Sequence, residues 1–236
     1  MNVDSAYLQL IQDEAHDGAF NMAADEFLFR QQIEKKDLHS LLRFYRFSDP
    51  TFTVGYGVWR NLACGTVSRI PSIRRITGGG IVLHNGTDLT YSFVTSLSVQ
   101  TPLRKVKESY AFIHRQLQKA LLDFGIRTEL YAADHHEKSV KPQNGKSNFC
   151  FDSPVPFDVM LGDRKIAGGG QKRSQGFLLH QGSIAWEALI RRFPDLSEFQ
   201  FSKQFASYLA DALNQTVKEM SFCAEELQAW QPSYHG

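Results

Sequence analysis

The sequence predicts an α+β fold with a mixed, largely antiparallel sheet packed against helices. Strand-like segments come in groups joined by short turns, which is typical of hairpins. Helical segments separate these groups instead of alternating with single strands, as a doubly wound parallel sheet would require. No internal repeat, low-complexity tract or interdomain linker interrupts the sequence. We therefore expect a single domain over residues 1–236.

The first half of the chain predicts one helix and two groups of strands. Residues 20–35 follow an acidic segment that contains glycine, and they predict a helix. Residues 41–47 and 51–58 predict two strands joined by a Ser-Asp-Pro turn. Residues 73–84 and 89–96 predict two more strands, which glycine-rich segments interrupt.

The second half contains the clearest helix, at residues 103–124. Its apolar residues recur every three or four positions, and Gly125 stands where a C-terminal glycine cap is expected. Residues 132–147 are polar and rich in helix breakers, so we expect an exposed loop. The remaining predicted elements are strands at 156–161, 164–167 and 176–185, the first two joined by a Gly-Asp hairpin turn, and helices at 201–214 and 223–230.

Composition excludes several classes of protein. The 26 Lys and Arg residues nearly balance 25 Asp and Glu, whereas a nucleic-acid-binding face needs a basic excess. No segment approaches the ~20 apolar residues of a membrane span, and the N-terminus lacks the apolar segment of a signal peptide. Three widely spaced cysteines predict neither a disulfide framework nor a zinc site, which favours a protein of the reducing cytoplasm without a metal.

A glycine-rich segment at residues 74–84 (RRITGGGIVLH) is the first candidate for ligand binding. Successive glycines let the backbone approach a ligand closely, and the two arginines could add charge-assisted hydrogen bonds to a carboxylate or phosphate. The spacing matches neither the dinucleotide-binding motif nor the P-loop. A flexible bend between two strands is the alternative interpretation.

Lys165 and Cys150 are the candidate reactive side chains. Lys165 lies three residues before a second glycine triplet, where its ammonium could stabilise an oxyanion, although a surface lysine on a hairpin is more common. Cys150 is a competent acyl-transfer nucleophile as a thiolate, but its two phenylalanine neighbours fit a buried apolar side chain equally well. His84 and His180 occupy strand-like segments near the glycine runs and could line a pocket or belong to the core.

Six segments resemble, in order, the lipoate-protein ligase and octanoyl/lipoyl transferase family, which is related to biotin protein ligase. The matching segments are NMAADE at 21–26, LRFYRF with PT and VGY over 42–56, RRITGGG with His at 74–84, DLTYS at 88–92, KIAG at 165–168 and HQGSI at 180–184. Six ordered matches are far more specific than any one of them. The resemblance implies the catalytic fold of biotin/lipoate protein ligases, without the small C-terminal accessory domain of the ligases.

The resemblance also implies roles for individual residues. Lys165 would hold the acyl carbonyl oxygen, and Cys150 would carry the acyl group as a thioester, as a cysteine in the same CFD segment does in one group of octanoyltransferases. The residues implied in binding the acyl substrate are Arg75, Thr77, Gly78, Gly79, Gly80, His84, Gly168 and His180.

Three functions remain open at this point. Cys150 and the DLTYS segment favour transfer of an octanoyl or lipoyl group to a lysine of a carrier domain, without a bound cofactor. Gly80 completes a glycine triplet typical of the ligases, which favours ATP- and Mg-dependent ligation through lipoyl-AMP. The third is a catalytically idle lipoate- or carrier-binding protein. The implied partners are lipoyl domains of 2-oxoacid dehydrogenases or the glycine-cleavage carrier protein, with acyl carrier protein as a donor.

Overall fold

The computed structural model describes residues 6–60, 70–132 and 154–222, together with Glu225 and Leu227. The predicted loop at 132–147, except its first residue, and Cys150 lie outside the described residues. The same holds for the predicted helix at 223–230, apart from Glu225 and Leu227, which are both helical.

The described residues form eleven strands and five α-helices. The strands are β1 (Tyr7–His16), β2 (Ser40–Phe47), β3 (Thr51–Val54), β4 (Ser72–Arg74), β5 (Ile81–His84), β6 (Leu89–Ser96), β7 (Glu129–Leu130), β8 (Val159–Leu161), β9 (Arg164–Ser174), β10 (Phe177–Ile184) and β11 (Thr216–Met220). The helices are α1 (Gly18–Lys35), α2 (Tyr56–Trp59), α3 (Val106–Leu122), α4 (Trp186–Arg192) and α5 (Glu198–Leu213).

Two sheets organise these elements. Eight strands form a large sheet in the order β11-β1-β2-β6-β10-β9-β8-β7, and three form a small sheet in the order β4-β3-β5. Strand β1 pairs in parallel with both of its neighbours, and β3 pairs in parallel with β4. The other pairs are antiparallel, from β2 through β10 to β7 and between β3 and β5. The predicted mixed, largely antiparallel α+β architecture is confirmed.

Helices cover both faces of the large sheet. On one face, which we call the α3 face, helices α3 and α5 bury Tyr91 of β6 against Phe201 and Phe205. On the opposite face, the α1 face, helix α1 packs Phe27 and Leu28 against side chains of β2, β6 and β10. Alternation along each strand sends successive side chains to opposite faces. The face of each residue in the central strands therefore decides which helix it meets.

Two local predictions were wrong. Strands β2 and β3 do not pair with each other: β2 belongs to the large sheet and β3 to the small one, because the intervening turn carries the chain between the sheets. Residues 56–58, predicted to extend β3, instead begin helix α2, whose first turn is closed by the Trp59 N–H donating to the Gly55 carbonyl.

The boundaries of two other elements also differ from prediction. Helix α3 begins at Val106, because residues 101–104 form a separate 3₁₀ turn and Lys105 is extended. Strand β9 continues through the glycine triplet 168–170 to Ser174 instead of ending at residue 167. The glycine triplet is therefore part of a strand and not of a loop.

Candidate active site

The segment that joins β4 to β5 forms what we call the ligand loop, residues 75–80. Arg75 is buried, and its guanidinium donates to the carbonyl oxygens of Thr53 at 2.9 Å, Gly78 at 3.0 Å and Gly80 at 2.9 Å. Gly79 has a φ of 100°, a conformation that favours glycine. Arg75 therefore fixes the shape of the loop from within.

The ligand loop packs directly on β9. The Gly78 N–H donates to the Gln171 carbonyl at 3.2 Å, and a Cβ on Gly170 would lie 2.3 Å from the Gly78 carbonyl oxygen. The buried Thr77 hydroxyl donates to Gln181 Oε1 on β10 at 2.7 Å. Because even a Cβ atom at position 170 would collide with the loop backbone, only a glycine there lets the loop lie against the strand.

Lys165 occupies the start of β9, where a bulge interrupts the pairing with β8. Val159 pairs with Ala167 but Met160 pairs with Lys165, so β9 contains one extra residue between these pairs. Such bulges turn a side chain away from regular alternation. A Cβ on Gly168 would lie 2.5 Å from Lys165 Cε and 2.7 Å from Nζ, which places the ammonium directly over that glycine.

Lys165 and the ligand loop thus lie on the same face of β9. Gly168 and Gly170 are two residues apart and point to one face of the strand, with a separation of about 7 Å. Lys165 covers the first glycine, and residues Thr77 and Gly78 cover the second. The face is the α1 face, because Gln181, the cross-strand neighbour of Gly170, also hydrogen-bonds Asp25 of helix α1 at 2.7 Å.

An open cavity of about 690 Å³ adjoins Lys165. Leu83, Asn85 and Asp88 line it on the side of the small sheet, and Leu161, Arg164 and Lys165 line it on the side of β8 and β9. Most of its lining residues are polar or charged, so this opening is more polar than the apolar pocket that usually holds a small molecule.

His84 belongs to a buried polar network beside this cavity. Its Nδ1 lies 2.6 Å from Asp88 Oδ2, and the Ser183 hydroxyl donates to the same oxygen at 2.7 Å. Burial raises the pKa of Asp88, but the hydrogen bonds from His84 and Ser183 outweigh it, so the pKa lies below its ordinary value. His84 Nε2 lies 2.9 Å from the Thr53 hydroxyl, which links the network back to the ligand loop through Arg75.

His180 lies on the other side of the sheet. A Cβ on Gly169 would approach its Nε2 to 2.6 Å, and the ring stacks on Tyr91 in the α3 face. Burial and the neighbouring His114 lower the pKa of His180 well below its usual value. The structure therefore brings Lys165, Gly168, His84 and the ligand loop together on the α1 face. His180 lies on the opposite, α3 face of the sheet.

Three residues that support the site were not predicted from the sequence. Asp158 pairs with Lys165 at 2.8 Å, Tyr110 of α3 donates to Asp158 at 2.6 Å, and Gln181 joins the ligand loop to α1. One signal could have indicated Asp158: it is a carboxylate in the middle of the otherwise apolar segment PFDVML. Tyr110 belongs to the apolar periodicity that predicts helix α3, and that pattern does not distinguish it from an ordinary core residue.

Cys150 lies outside the described residues, so its distance from Lys165 is not part of this geometry. Within the described ranges, no group of three or more His, Cys, Asp or Glu side chains could hold a metal ion. The described helices include none that is long and apolar enough to cross a membrane.

The chemistry that this arrangement can perform follows from its charges. A buried ammonium over a glycine backbone can donate to an oxygen that gains negative charge, without a side chain in between. The ligand loop on the same face of β9 is held in one conformation by Arg75. These features suit a reaction at an acyl carbonyl.

Comparison with known proteins identifies the family of this chain. A model of the lipoyl protein ligase A/B catalytic domain matches residues 17–230. Octanoyltransferase LipM of Bacillus cereus is 33% identical over 219 residues, which covers 89% of this chain and 78% of that protein. Octanoyltransferase LipM of an Exiguobacterium species is 31% identical over 234 residues, which covers 95% and 84%.

Solved structures show the same fold at lower identity. A lipoate-protein ligase A bound with ATP has a TM-score of 0.66 at 19% identity, covering 95% of this chain and 93% of that chain. A bi-partite lipoate protein ligase from Thermoplasma acidophilum, studied with its E2 lipoyl domain, has a TM-score of 0.58 at 16% identity, covering 95% and 91%. On the match to residues 17–230 and the identity to its relatives, the chain belongs to the family of lipoyl protein ligase A/B catalytic domains.

Proposed function

We propose that this enzyme transfers an octanoyl or lipoyl group to a specific lysine of a lipoyl carrier domain. Two octanoyltransferases at 31–33% identity support the reaction class. The observation that carries the proposal is the position of the Lys165 ammonium over Gly168, on the face of β9 that the ligand loop also covers. A single catalytic domain, residues 1–236, would carry out the reaction in the cytoplasm.

In this mechanism the acyl carbonyl lies between Lys165 and the ligand loop, on the α1 face of β9. Lys165 donates to the acyl carbonyl oxygen and stabilises the negative charge that forms there when a nucleophile attacks. Gly78, Gly79 and Gly80 provide the opposite wall, and Arg75 keeps their backbone in place. Asp88, the hydrogen-bond partner of His84, borders the adjoining cavity.

Cys150 would divide the transfer into two steps. Its thiolate attacks the donor thioester, the donor thiol leaves, and the acyl group forms a new thioester with the enzyme. The amine of the carrier lysine then attacks that thioester, an amide forms, and the departing sulfur takes the proton that the amine loses. Thioester exchange is nearly balanced in energy and amide formation from a thioester is favourable, so no ATP is required.

The carrier domains follow from the same chemistry. The acceptor would be a lipoyl domain of a 2-oxoacid dehydrogenase or the glycine-cleavage carrier protein, and acyl carrier protein is a suitable thioester donor. A lipoate protein ligase of the same fold was studied with its E2 lipoyl domain, which supports an acceptor of this type.

ATP-dependent ligation is the second candidate. Gly80 gives the ligand loop the glycine triplet of the ligases, and a ligase of the same fold was solved with ATP. ATP and Mg would then be needed to form lipoyl-AMP. A third candidate is an idle protein that binds lipoate or a lipoyl domain without reaction; the buried, ion-paired Lys165 argues against it.

A mass measurement on the acceptor separates these functions. The purified enzyme is incubated with octanoyl-carrier protein and an apo lipoyl domain, without ATP, and in parallel with octanoate or lipoate, ATP and Mg. Transfer predicts an acylated domain in the first reaction, and its loss in Cys150→Ala but not in Cys64→Ala. A product in the second reaction alone would establish a ligase, and no product in either would indicate the idle protein.

A further inference from the structure

Lys165 is held by a carboxylate that comes from outside its own strand. Its Nζ lies 2.8 Å from Oδ2 of Asp158, which directly precedes β8, and the two side chains are 6% and 0% exposed. A buried ion pair of this kind is costly to break, because removing one partner leaves the other charge uncompensated. The ammonium carries three N–H groups, so pairing with Asp158 is compatible with a hydrogen bond to an acyl oxygen.

Asp158 is itself fixed by hydrogen bonds to both of its oxygens. Oδ2 also accepts from the Val155 N–H at 2.7 Å, and Oδ1 accepts from the Tyr110 hydroxyl at 2.6 Å. The carboxylate therefore has a defined orientation before any substrate arrives. Such preorganisation is what makes a charged donor effective toward a developing oxyanion.

Tyr110 connects this carboxylate to the backbone of strand β9. Its hydroxyl accepts from the Gly169 N–H at 2.8 Å while donating to Asp158, so its single proton has a fixed direction. Burial and the neighbouring Asp158 raise the pKa of Tyr110 well above its usual value, so the phenol stays protonated. The Tyr110 hydroxyl of helix α3 thus links Asp158 to Gly169, the residue that follows the Gly168 covered by Lys165.

We propose that Asp158 is the positioning residue for Lys165 and that Tyr110 holds Asp158 in place. The Lys165 ammonium then stays over Gly168, within hydrogen-bond reach of the acyl oxygen. This inference rests on the proposed transfer reaction and adds two residues to it. Neither residue has to touch the substrate. Asp158 acts through Lys165, and Tyr110 acts through Asp158.

The proposal predicts a specific kinetic signature. Asp158→Asn keeps the size of the side chain but removes its charge, and it should lower kcat for acyl transfer by about 100-fold, the range seen when one oxyanion donor is lost. Tyr110→Phe removes one hydrogen bond to the Asp158 carboxylate and should lower kcat by about 10-fold. KM for the acyl donor should change little in either variant, since neither residue contacts the acyl chain.

The decisive experiment measures steady-state transfer in four single variants and one double variant. The variants are Asp158→Asn, Tyr110→Phe, Lys165→Ala, the double variant with Asp158→Asn and Lys165→Ala, and the control Tyr208→Phe. Tyr208 also donates to a carboxylate, that of Asp123 at 2.9 Å, but on the exposed surface, so its loss should leave kcat unchanged. If Asp158 acts through Lys165, the double variant should be no slower than Lys165→Ala alone.

Each outcome bears on one of the two proposals. An inactive wild-type enzyme would overturn the transfer reaction itself. If the wild type is active, either of two results would overturn the positioning role. One is a wild-type kcat in Asp158→Asn. The other is a double variant whose loss of kcat equals the product of the losses in the two single variants. If Asp158→Asn fails to fold, Tyr110→Phe decides the matter, because it leaves the ion pair in place: a kcat equal to that of wild type would overturn the proposal.

Discussion

Lys165 and Arg75 are two buried cations at the site, and the protein holds them in different ways. Arg75 donates to three carbonyl oxygens of its own surroundings and so stabilises the ligand loop. Lys165 is oriented by one carboxylate and lies against a glycine, where an incoming acyl oxygen can reach it. A planar guanidinium with five donors suits the first task, and a compact ammonium suits the second.

Replacing Lys165 by Ala should reduce acyl transfer by at least about 100-fold, because the developing oxyanion loses its charged donor. Initial rates with saturating acyl donor measure this effect. Lys105→Ala is a matched control, since Lys105 forms an exposed ion pair with Glu108 away from the site. Survival of more than a tenth of the activity in Lys165→Ala would refute the role of this residue.

Buried histidines on the α3 face predict a loss of stability in mild acid. Burial lowers the pKa of His114 from 6.5 to about 4, and burial together with His114 lowers that of His180. The unfolded chain therefore binds protons more readily below pH 6.5. The stability that neutral His114 contributes is fully present above pH 6.5 and is lost progressively as the pH falls toward 4.

Between pH 7 and pH 5, His114 should reduce the free energy of unfolding by about 2 kcal/mol. Urea denaturation at the two pH values measures the change. In His114→Asn, whose amide can still donate to the Phe157 carbonyl, the difference between the two pH values should shrink by about that amount. An unchanged difference would show that His114 does not titrate in this way.

At the scale of elements, the close approach of backbones dominates the site. A Cβ on Gly55 would lie 2.0 Å from the Gly79 carbonyl oxygen, and one on Gly170 would lie 2.3 Å from that of Gly78. The ligand loop is therefore enclosed between the β3–α2 junction and β9. Both contacts are made by main-chain atoms, which cannot move aside as the end of a flexible side chain can.

The pair Gly55 and Gly57 offers a direct test of this packing. Gly55→Ala should displace the ligand loop, lower the free energy of unfolding by about 1–3 kcal/mol and reduce transfer. Gly57→Ala, two residues along, meets no atom within 4 Å and lies in helix α2, so stability should stay the same or rise slightly. Equal effects of both substitutions on stability and transfer would contradict the packing described here.

The sequence predicted some of these elements and not others, for physical reasons. Periodicity located α3, the acidic, glycine-containing segment before residue 20 indicated α1, and the two glycine triplets marked segments of the site. Periodicity could not show that the triplet 168–170 lies within a strand, because glycine has low strand propensity and the contacts that require it come from a distant loop. The faces of His84 and His180 depended on strand register, which a single sequence does not specify.

At the scale of the molecule, the two sheets are joined by buried polar groups. Asp25 of α1 accepts hydrogen bonds from Arg43 and Tyr45 of β2, Ser92 of β6 and Gln181 of β10. Through Gln181 this cluster reaches the ligand loop of the small sheet. Strands β1 and β11, which complete the large sheet, were not predicted, because their parallel pairing joins distant segments and β11 is exposed throughout.

Asp25→Asn should therefore lower the free energy of unfolding by about 3 kcal/mol, because it leaves part of the buried Arg43 charge unbalanced. Urea denaturation at pH 7 provides the measurement. Glu108→Gln, which breaks the exposed pair with Lys105, should change stability by less than about 1 kcal/mol. Similar small effects of the two substitutions would mean that the Asp25 cluster contributes little to holding the sheets together.

The central claim is that the acyl carbonyl binds between Lys165 and the ligand loop. A crystal structure of the enzyme with a non-hydrolysable octanoyl thioester tests it most directly. We predict an acyl oxygen about 3 Å from Lys165 Nζ, with the carbonyl between Lys165 and the ligand loop. An acyl chain located elsewhere, such as the groove that Tyr56 and Lys172 line on the far side of the loop, would contradict it.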